Sequence, residues 1–325
     1  MIDITIVIPT YNGAERVPLV LEKIKVQTNT DAFSWEILVV DNNSQDHTAE
    51  TIRDLQKSWP KDALRYCFEP RQGLAYARQC GVDHAKGALV AFLDDDVLPA
   101  ADWLAEAYRF GRDRPHIGAY GGQIHGAFEV EPPGGFERIK SFLAIRERGA
   151  AAHAYKPEVL SLPPGAALVV RKAAWQASVP KQLTLVGRIN GTMLSGEDFE
   201  ALLHLHQHGW EIWYCPTMQA YHQIPRHRLE RDYLLSITRG CGLCVCLLRW
   251  VPARPWQRPL IAGRIVASSL KRMLAHFWRY RGQVYTDVVA ACELNFMVYN
   301  LLSPLFCMQT LLKQSQNMPP VEKTI

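Results

Sequence analysis

A large excess of charge of one sign is missing from this chain. Its 325 residues hold 36 Lys and Arg against 32 Asp and Glu, a net of +4, which argues against a surface built throughout to neutralise nucleic acid. No nucleic-acid partner is expected. Cysteine is sparse as well. Eight residues at irregular positions do not form a disulfide framework, and Cys241, Cys244 and Cys246 lack the second Cys/His pair of a four-ligand zinc site. Reduced thiols in the cytosol are the expectation. Long apolar runs are missing. The longest, 288–308, is broken by Glu293, Asn295, Asn300 and Pro304, and 241–251 is short and contains Arg249. Neither reaches the roughly 20 apolar residues of a bilayer span, so no spanning anchor is expected. The first residues lack the basic-then-apolar layout of a secretory signal. Two nucleotide-binding fingerprints are also absent after the first strand: the lysine-bearing phosphate loop and the glycine-rich dinucleotide turn.

What is present is an alternation of short apolar runs and helical patterns. Strands are expected at 2–8, 36–40, 64–68 and 88–93, and helices at 15–27, 45–55 and 74–84, with Ser44 as N-cap of the second. Runs that are apolar throughout, rather than alternating, imply a sheet covered on both faces: an α/β fold, doubly wound and mostly parallel. From 126 to 164 the pattern weakens into loop and helix, followed by a strand at 166–170, a helix at 197–208 with Ser195 as N-cap, and two short strands at 211–214 and 218–222. After Pro225 the chain turns basic and helical. Between Arg226 and Ala290 stand twelve Lys/Arg and three Asp/Glu, so the remainder carries a net of −5. The expected domains are 1–225, in two halves (1–125 and 126–225), and a basic helical region at 226–325. Basic residues interleaved with Trp and Leu fit peripheral contact with an anionic membrane, or a helical subdomain packed on residues 1–225.

In open α/β sheets ligands collect at the carboxyl ends of the strands. Here the first strand runs into Pro9-Thr10-Tyr11-Asn12, the second into Asp41-Asn42-Asn43-Ser44, and the fourth into Asp94-Asp95-Asp96. An aromatic ring can stack on a base, and carboxylates can accept hydrogen bonds from a base or ribose. Three consecutive carboxylates repel one another unless a cation or solvent compensates, and oxygen ligands suit Mg²⁺ or Mn²⁺. Taken alone, the triplet is equally a solvated acidic turn.

These blocks, with Gly73-Leu74-Ala75-Tyr76-Ala77-Arg78, Gly196-Glu197-Asp198-Phe199-Glu200 and Gly209-Trp210-Glu211-Ile212-Trp213-Tyr214-Cys215-Pro216, follow in the order seen in family 2 glycosyltransferases, which the chain resembles from Ile4 to about His222. The resemblance implies a GT-A fold, Mn²⁺ or Mg²⁺ as cofactor, and an inverting transfer of sugar from a nucleotide-sugar donor, first of all a UDP-sugar, to a saccharide or lipid-linked saccharide acceptor. Polysaccharide or glycolipid assembly is the implied setting, in the cytoplasm or at the inner face of the plasma membrane. It further implies that Pro9, Thr10, Tyr11, Asn12, Asp41, Asn43, Arg78, Asp94 and Asp95 serve the donor, and that Asp96, Asp94 and His222 serve the metal. Asp198 is the expected general base with Glu197 its competitor; both also fit the acidic first turn that a helix dipole favours. Gly165 and Ala166 are placed beside the acceptor by the same resemblance, and Trp210 is a candidate for stacking on a sugar. A catalytically silent nucleotide-sugar-binding protein and a sugar-phosphate nucleotidyltransferase are the competing classes.

Overall fold

The computed structural model describes residues 2–189 and 191–317; the last residues of the expected basic region, 318–325, lie outside them. The chain runs β1 (Ile4–Thr10), α1 (Arg16–Lys25), β2 (Trp35–Asp41), α2 (Thr48–Gln56), β3 (Leu64–Phe68), α3 (Leu74–His84), β4 (Leu89–Leu93), β5 (Val97–Pro99), α4 (Trp103–Arg112), β6 (Ile117–Phe128), β7 (His153–Ala154), β8 (Ala167–Arg171), α5 (Lys172–Ser178), α6 (Glu197–Gln207), β9 (Glu211–Ile224), α7 (Arg231–Trp250), α8 (Arg258–Tyr280) and α9 (Val288–Asn317).

All but β7 follow one path, β3-β2-β1-β4-β8-β6-β9-β5. The first four strands are parallel, as their unbroken apolar runs imply. Alternate side chains of these strands enter opposite cores: Val7, Leu38, Val90 and Phe92 one, Ile6, Ile8, Ile37, Val39 and Ala91 the other. Each buried Val, Leu, Ile or Phe among them contributes about 1.5–3 kcal/mol, and both faces are covered. Beyond β4 the sheet becomes mixed, with β8 antiparallel to β4 and β6 antiparallel to β8.

Several local expectations change. The second helix starts at Thr48, not Gln45, and Ser44 does not cap it; its hydroxyl accepts the N–H of Asn12 instead. The two strands expected at 211–214 and 218–222 are one, β9, because pairing with β6 on either side of a register shift carries the chain through Pro216. Gly196, at φ +111°, takes the N-cap position expected of Ser195, whose hydroxyl meets the Cys241 sulfur at 3.3 Å. The 126–164 segment contains the end of β6, three short 3-10 turns and β7.

The apolar carboxy-terminal runs are also stronger than their interruptions suggest. Arg231–Trp250 (mean hydropathy 1.2) and Val288–Leu312 (mean hydropathy 1.4) are each long and apolar enough to cross a membrane by length and composition. Half of the first window is buried, and Leu247, Leu248 and Cys307 join the same core as Val7 and Leu38. Thus α7 packs on the sheet-bearing body and α9 packs on α7.

Candidate active site

Parallel β2, β1 and β4 bring Asp41, Thr10-Tyr11 and Asp94-Asp95-Asp96 to one edge of the sheet. A cavity of about 870 Å³ opens there, lined by Tyr11, Asn42, Arg78, all three aspartates, Asp198 and His222. It extends along α7 and α9 to Val245, Leu248 and Phe296. Its lining thus combines charged and polar groups with an apolar wall.

Each aspartate of the triplet faces its own arginine. Asp94 lies 3.2 Å from Arg78 Nη2. Asp95 accepts Arg16 Nε and Nη2 at 3.1 and 2.9 Å, and also the Thr10 hydroxyl. Asp96 Oδ2 is 2.7 Å from Arg228 Nη1 and 3.4 Å from His222 Nε2. Burial pushes the Asp94 and Asp95 carboxyls up, against the pull of their arginines. Burial acts on Asp96 too, but the hydrogen bonds and charge it meets there, the Arg228 guanidinium among them, outweigh it and hold that carboxyl below its ordinary range. His222 Nδ1 donates to the Leu143 carbonyl at 2.8 Å. A carbonyl only accepts, which assigns a proton to Nδ1, and a guanidinium only donates, so Arg228 Nη1, 2.9 Å from Nε2, meets a lone pair there.

The opposite wall is built around Arg78, which is 3% exposed. Its guanidinium lies over the Phe92 ring and pairs through Nη1 with Glu197 at 3.1 Å. On its other side a Cβ at Gly165 would stand 2.5 Å from Cζ, so only glycine leaves room there. The Gly165 N–H donates to Asp198 Oδ2 at 2.7 Å, and the Phe199 N–H to Oδ1 at 2.8 Å. Burial first, then the Asp198 charge, pushes the Glu197 carboxyl up to about 7 despite Arg78. Asp198 therefore sits aimed on a helix start, while Glu197 is tied into the arginine behind it.

The sequence profile of "Glycosyl transferase family 2" matches residues 5–177, more than half of the chain. The chain belongs to glycosyl transferase family 2. It is similar to Glycosyltransferase AglE of Haloferax volcanii, 38% identical over 102 residues that make up 31% of this chain and 33% of the relative. It is also similar to the GalNAc(5)-diNAcBac-PP-undecaprenol beta-1,3-glucosyltransferase of Campylobacter jejuni, 36% identical over 98 residues, 30% of each chain. The chain thus spans about a third of the length of these curated relatives. Among solved structures, the mannosyltransferase PcManGT of Pyrobaculum calidifontis, in complex with GDP-Man and Mn²⁺, aligns with a TM-score of 0.59 at 19% identity, covering 93% of this chain and 86% of that one. At that identity the likeness concerns the fold, which is GT-A: a mostly parallel central α/β sheet with carboxy-terminal helices.

Within this family 2 frame the expected site residues separate into two groups. Pro9, Thr10, Tyr11, Arg78, Asp94, Asp95, Asp96, Gly165, Ala166, Glu197, Asp198 and His222 line the cavity together. Asp41, Asn12, Asn43 and Trp210 are not among its lining residues. Asp41 is buried and accepts the Tyr66 hydroxyl and the Ser44 N–H. Asn12 and Asn43 adopt left-handed conformations, φ +50° and +62°, which suits turn-forming asparagine. Trp210 packs over Gly118, where a Cβ would come within 2.6 Å of it. Gly165 makes its close approach to Arg78 rather than leaving open space for an acceptor.

Sequence reasoning misses further lining residues, Arg146 among them. Arg16, Arg188 and Arg228 are cations that reach the site from a helix start, a loop and a turn. Asn42 holds the 69–73 loop through the carbonyls of Glu69 and Arg71 and the N–H of Gly73. Arg228 reads as part of the basic surface; nothing local marks a partner 132 positions earlier.

Proposed function

We propose that this chain transfers a sugar from a nucleoside diphosphate sugar to an acceptor hydroxyl, in one displacement with inversion, and that Mn²⁺ or Mg²⁺ is its cofactor. The observation that carries this is the meeting, in one cavity, of Asp96 and His222 with Asp198 across from them. The donor set suits such an ion: Asp96 Oδ2 and His222 Nε2 are 3.4 Å apart, a carboxylate oxygen beside an imidazole nitrogen whose tautomer is fixed by Leu143. Asp94 is the neighbouring candidate ligand. When bound, the ion supplies Lewis-acid stabilisation of charge on the departing diphosphate. PcManGT, which shares the fold and was crystallised with GDP-Man and Mn²⁺, supports the assignment.

Tyr11, exposed at the strand edge, offers a ring face to the base, and Pro9, Thr10 and the Asp41 turn shape that end of the site. Asp41 keeps the turn through Ser44 and Tyr66. Arg78 holds Asp94 and Glu197 at fixed positions. Asp198 takes the proton of the acceptor hydroxyl as that oxygen bonds to the anomeric carbon, and the diphosphate leaves with the bonding pair. Each Asp198 oxygen already accepts one N–H and retains lone-pair capacity for the hydroxyl proton. Attack from the side opposite the leaving group inverts the anomeric centre.

A lipid-linked saccharide is our choice of acceptor. The apolar wall of Val245, Leu248 and Phe296 suits a lipid portion, and the C. jejuni relative is named for an undecaprenol-linked saccharide. The outer surface of α8 extends this reading to the inner face of the plasma membrane. Leu270, Leu274, Phe277 and Trp278 are exposed there, and residues 233–286 contain nine Lys/Arg and no Asp or Glu, an apolar and cationic face suited to anionic lipid. The test is a panel of nucleotide-sugars, UDP-sugars first and GDP-sugars next, assayed for Mn²⁺-dependent hydrolysis and transfer. Turnover unaffected by chelator, or no donor consumed across the panel, would overturn the proposal.

A further inference from the structure

Asp96 and His222 are brought side by side by main-chain pairing. Val97 on β5 stands opposite His222 on β9, and the Gln223 N–H donates to the Asp96 carbonyl at 2.8 Å. Their side chains then present two electron-rich atoms, Oδ2 and Nε2, 3.4 Å apart. One nitrogen serves both: Arg228 Nη1 lies 2.7 Å from Asp96 Oδ2 and 2.9 Å from His222 Nε2. A guanidinium does not deprotonate in proteins. The place that suits a divalent ion is therefore held by a permanent cation belonging to the chain.

The other two arginines are placed differently. Arg16 binds Asp95 through two nitrogens, and Arg78 is buried between Asp94 and Glu197. Neither reaches Asp96. Arg228 comes from the 3-10 turn Arg226–Leu229, the short link between β9 and α7, and its side chain lines the cavity. A guanidinium and a divalent cation cannot share the same two lone pairs, since like charges at contact distance repel strongly. A rotation of the Arg228 side chain clears the position without breaking the sheet. The planar fork then remains at the cavity wall, suited to two phosphate oxygens.

Building on the metal-dependent transfer proposed above, we infer that Arg228 is a resident counter-ion. It neutralises Asp96 and satisfies His222 while no metal is bound, yields that position when metal and donor arrive together, and then pairs with the donor's diphosphate. Metal binding and nucleotide binding are coupled through this one side chain. Metal alone must displace Arg228 into solvent; metal with a diphosphate gives it a new partner.

The test is Mn²⁺ titration of the full chain, followed by electron paramagnetic resonance or calorimetry, for wild type, Arg228→Gln, Arg228→Lys and Asp96→Asn, with and without UDP, and with GDP as second probe. Without nucleotide, Arg228→Gln should bind Mn²⁺ roughly tenfold more tightly than wild type, the low end for removing a charge-assisted competitor. Mn²⁺-loaded Arg228→Gln should bind the preferred diphosphate roughly tenfold more weakly than loaded wild type, with Arg228→Lys recovering part of that loss. Unchanged or weaker Mn²⁺ binding by an Arg228→Gln protein that melts like wild type would overturn the inference, as would unaltered diphosphate binding. Mn²⁺ binding that survives Asp96→Asn would instead remove the metal site itself. Asp96-dependent Mn²⁺ binding indifferent to Arg228 removes only the role given to that arginine.

Discussion

The backbone N–H of Gly165 donates to Asp198 Oδ2 at 2.7 Å, and Gly165 has no side chain because the Arg78 guanidinium fills the place a Cβ would take. One residue thus positions the proposed base through its amide and the buried arginine through its bareness. We expect Gly165→Ala to destabilise the fold by about 1–3 kcal/mol, the usual cost of overpacking, because Arg78 is pinned by Asp94 and Glu197 and cannot withdraw freely. Transfer should fall more than donor affinity. Urea unfolding together with separate kcat and donor Kd measurements checks both; wild-type stability and turnover would disprove the arrangement.

Asp198 and Glu197 are adjacent but differently held, and that difference separates their roles. Asp198 lines the cavity with backbone donors behind it, whereas Glu197 is paired to Arg78. We expect Asp198→Asn to retain donor binding and lose transfer by about 10²–10⁴-fold, the range for removing a general base. Comparable loss from Glu197→Gln with a normal Asp198→Asn enzyme would exchange the assignments. Steady-state transfer assays paired with nucleotide calorimetry decide between them.

Glu197 also makes stability depend on pH. Its carboxyl is raised from an ordinary value of 4.5 to about 7 in the folded protein, chiefly by burial and next by the Asp198 charge. A raised pKa means the folded state favours the protonated form; the associated stability is present below the unfolded value and is lost as pH rises through about 7. Glu197→Gln cannot ionise. The variant should therefore gain on wild type in melting temperature as pH is raised from about 5 to about 8. A difference that stays flat, or shrinks, over that interval would show that Arg78 carries the ionised carboxylate without cost.

How far the site can be read from the chain follows from how local each signal is. β1, β2 and β4 announce themselves as unbroken apolar runs, so the polar residues after them fall at strand ends by construction; that places Tyr11 and Asp94–Asp96 in one cavity. Arg228 belongs to the same site but signals only through its partner after β4, and among its basic neighbours it looks like surface. The pairing of Gly165 with Arg78 is equally distant in sequence. β9 divides at Pro216 on the pattern alone because proline reads as a strand breaker, while partnership with β6 keeps the strand whole. In α9, Glu293 and Asn295 count against a long apolar helix. The structure pairs them with Arg138 and with the Leu235 carbonyl, and Leu305 and Leu312 stand exposed farther along the helix.

The α8 surface supplies the last prediction. Phe277 and Trp278 are 67% and 76% exposed, positions where large apolar side chains gain nothing from the protein's own core, and the flanking charges are all basic. Each Lys or Arg near an anionic lipid surface contributes about 1 kcal/mol, falling off within a Debye length, while inserted aromatic and aliphatic groups add a term that salt does not screen. We therefore expect the chain to float with vesicles containing phosphatidylglycerol and to bind far more weakly to phosphatidylcholine alone. Added salt should weaken the association without abolishing it. Phe277→Glu combined with Trp278→Glu should release the protein from vesicles while leaving its melting temperature near that of wild type, since neither side chain is buried. Binding that disappears wholly with moderate salt would reduce the contact to charge alone, and flotation of the double variant at the wild-type level would place the membrane contact elsewhere.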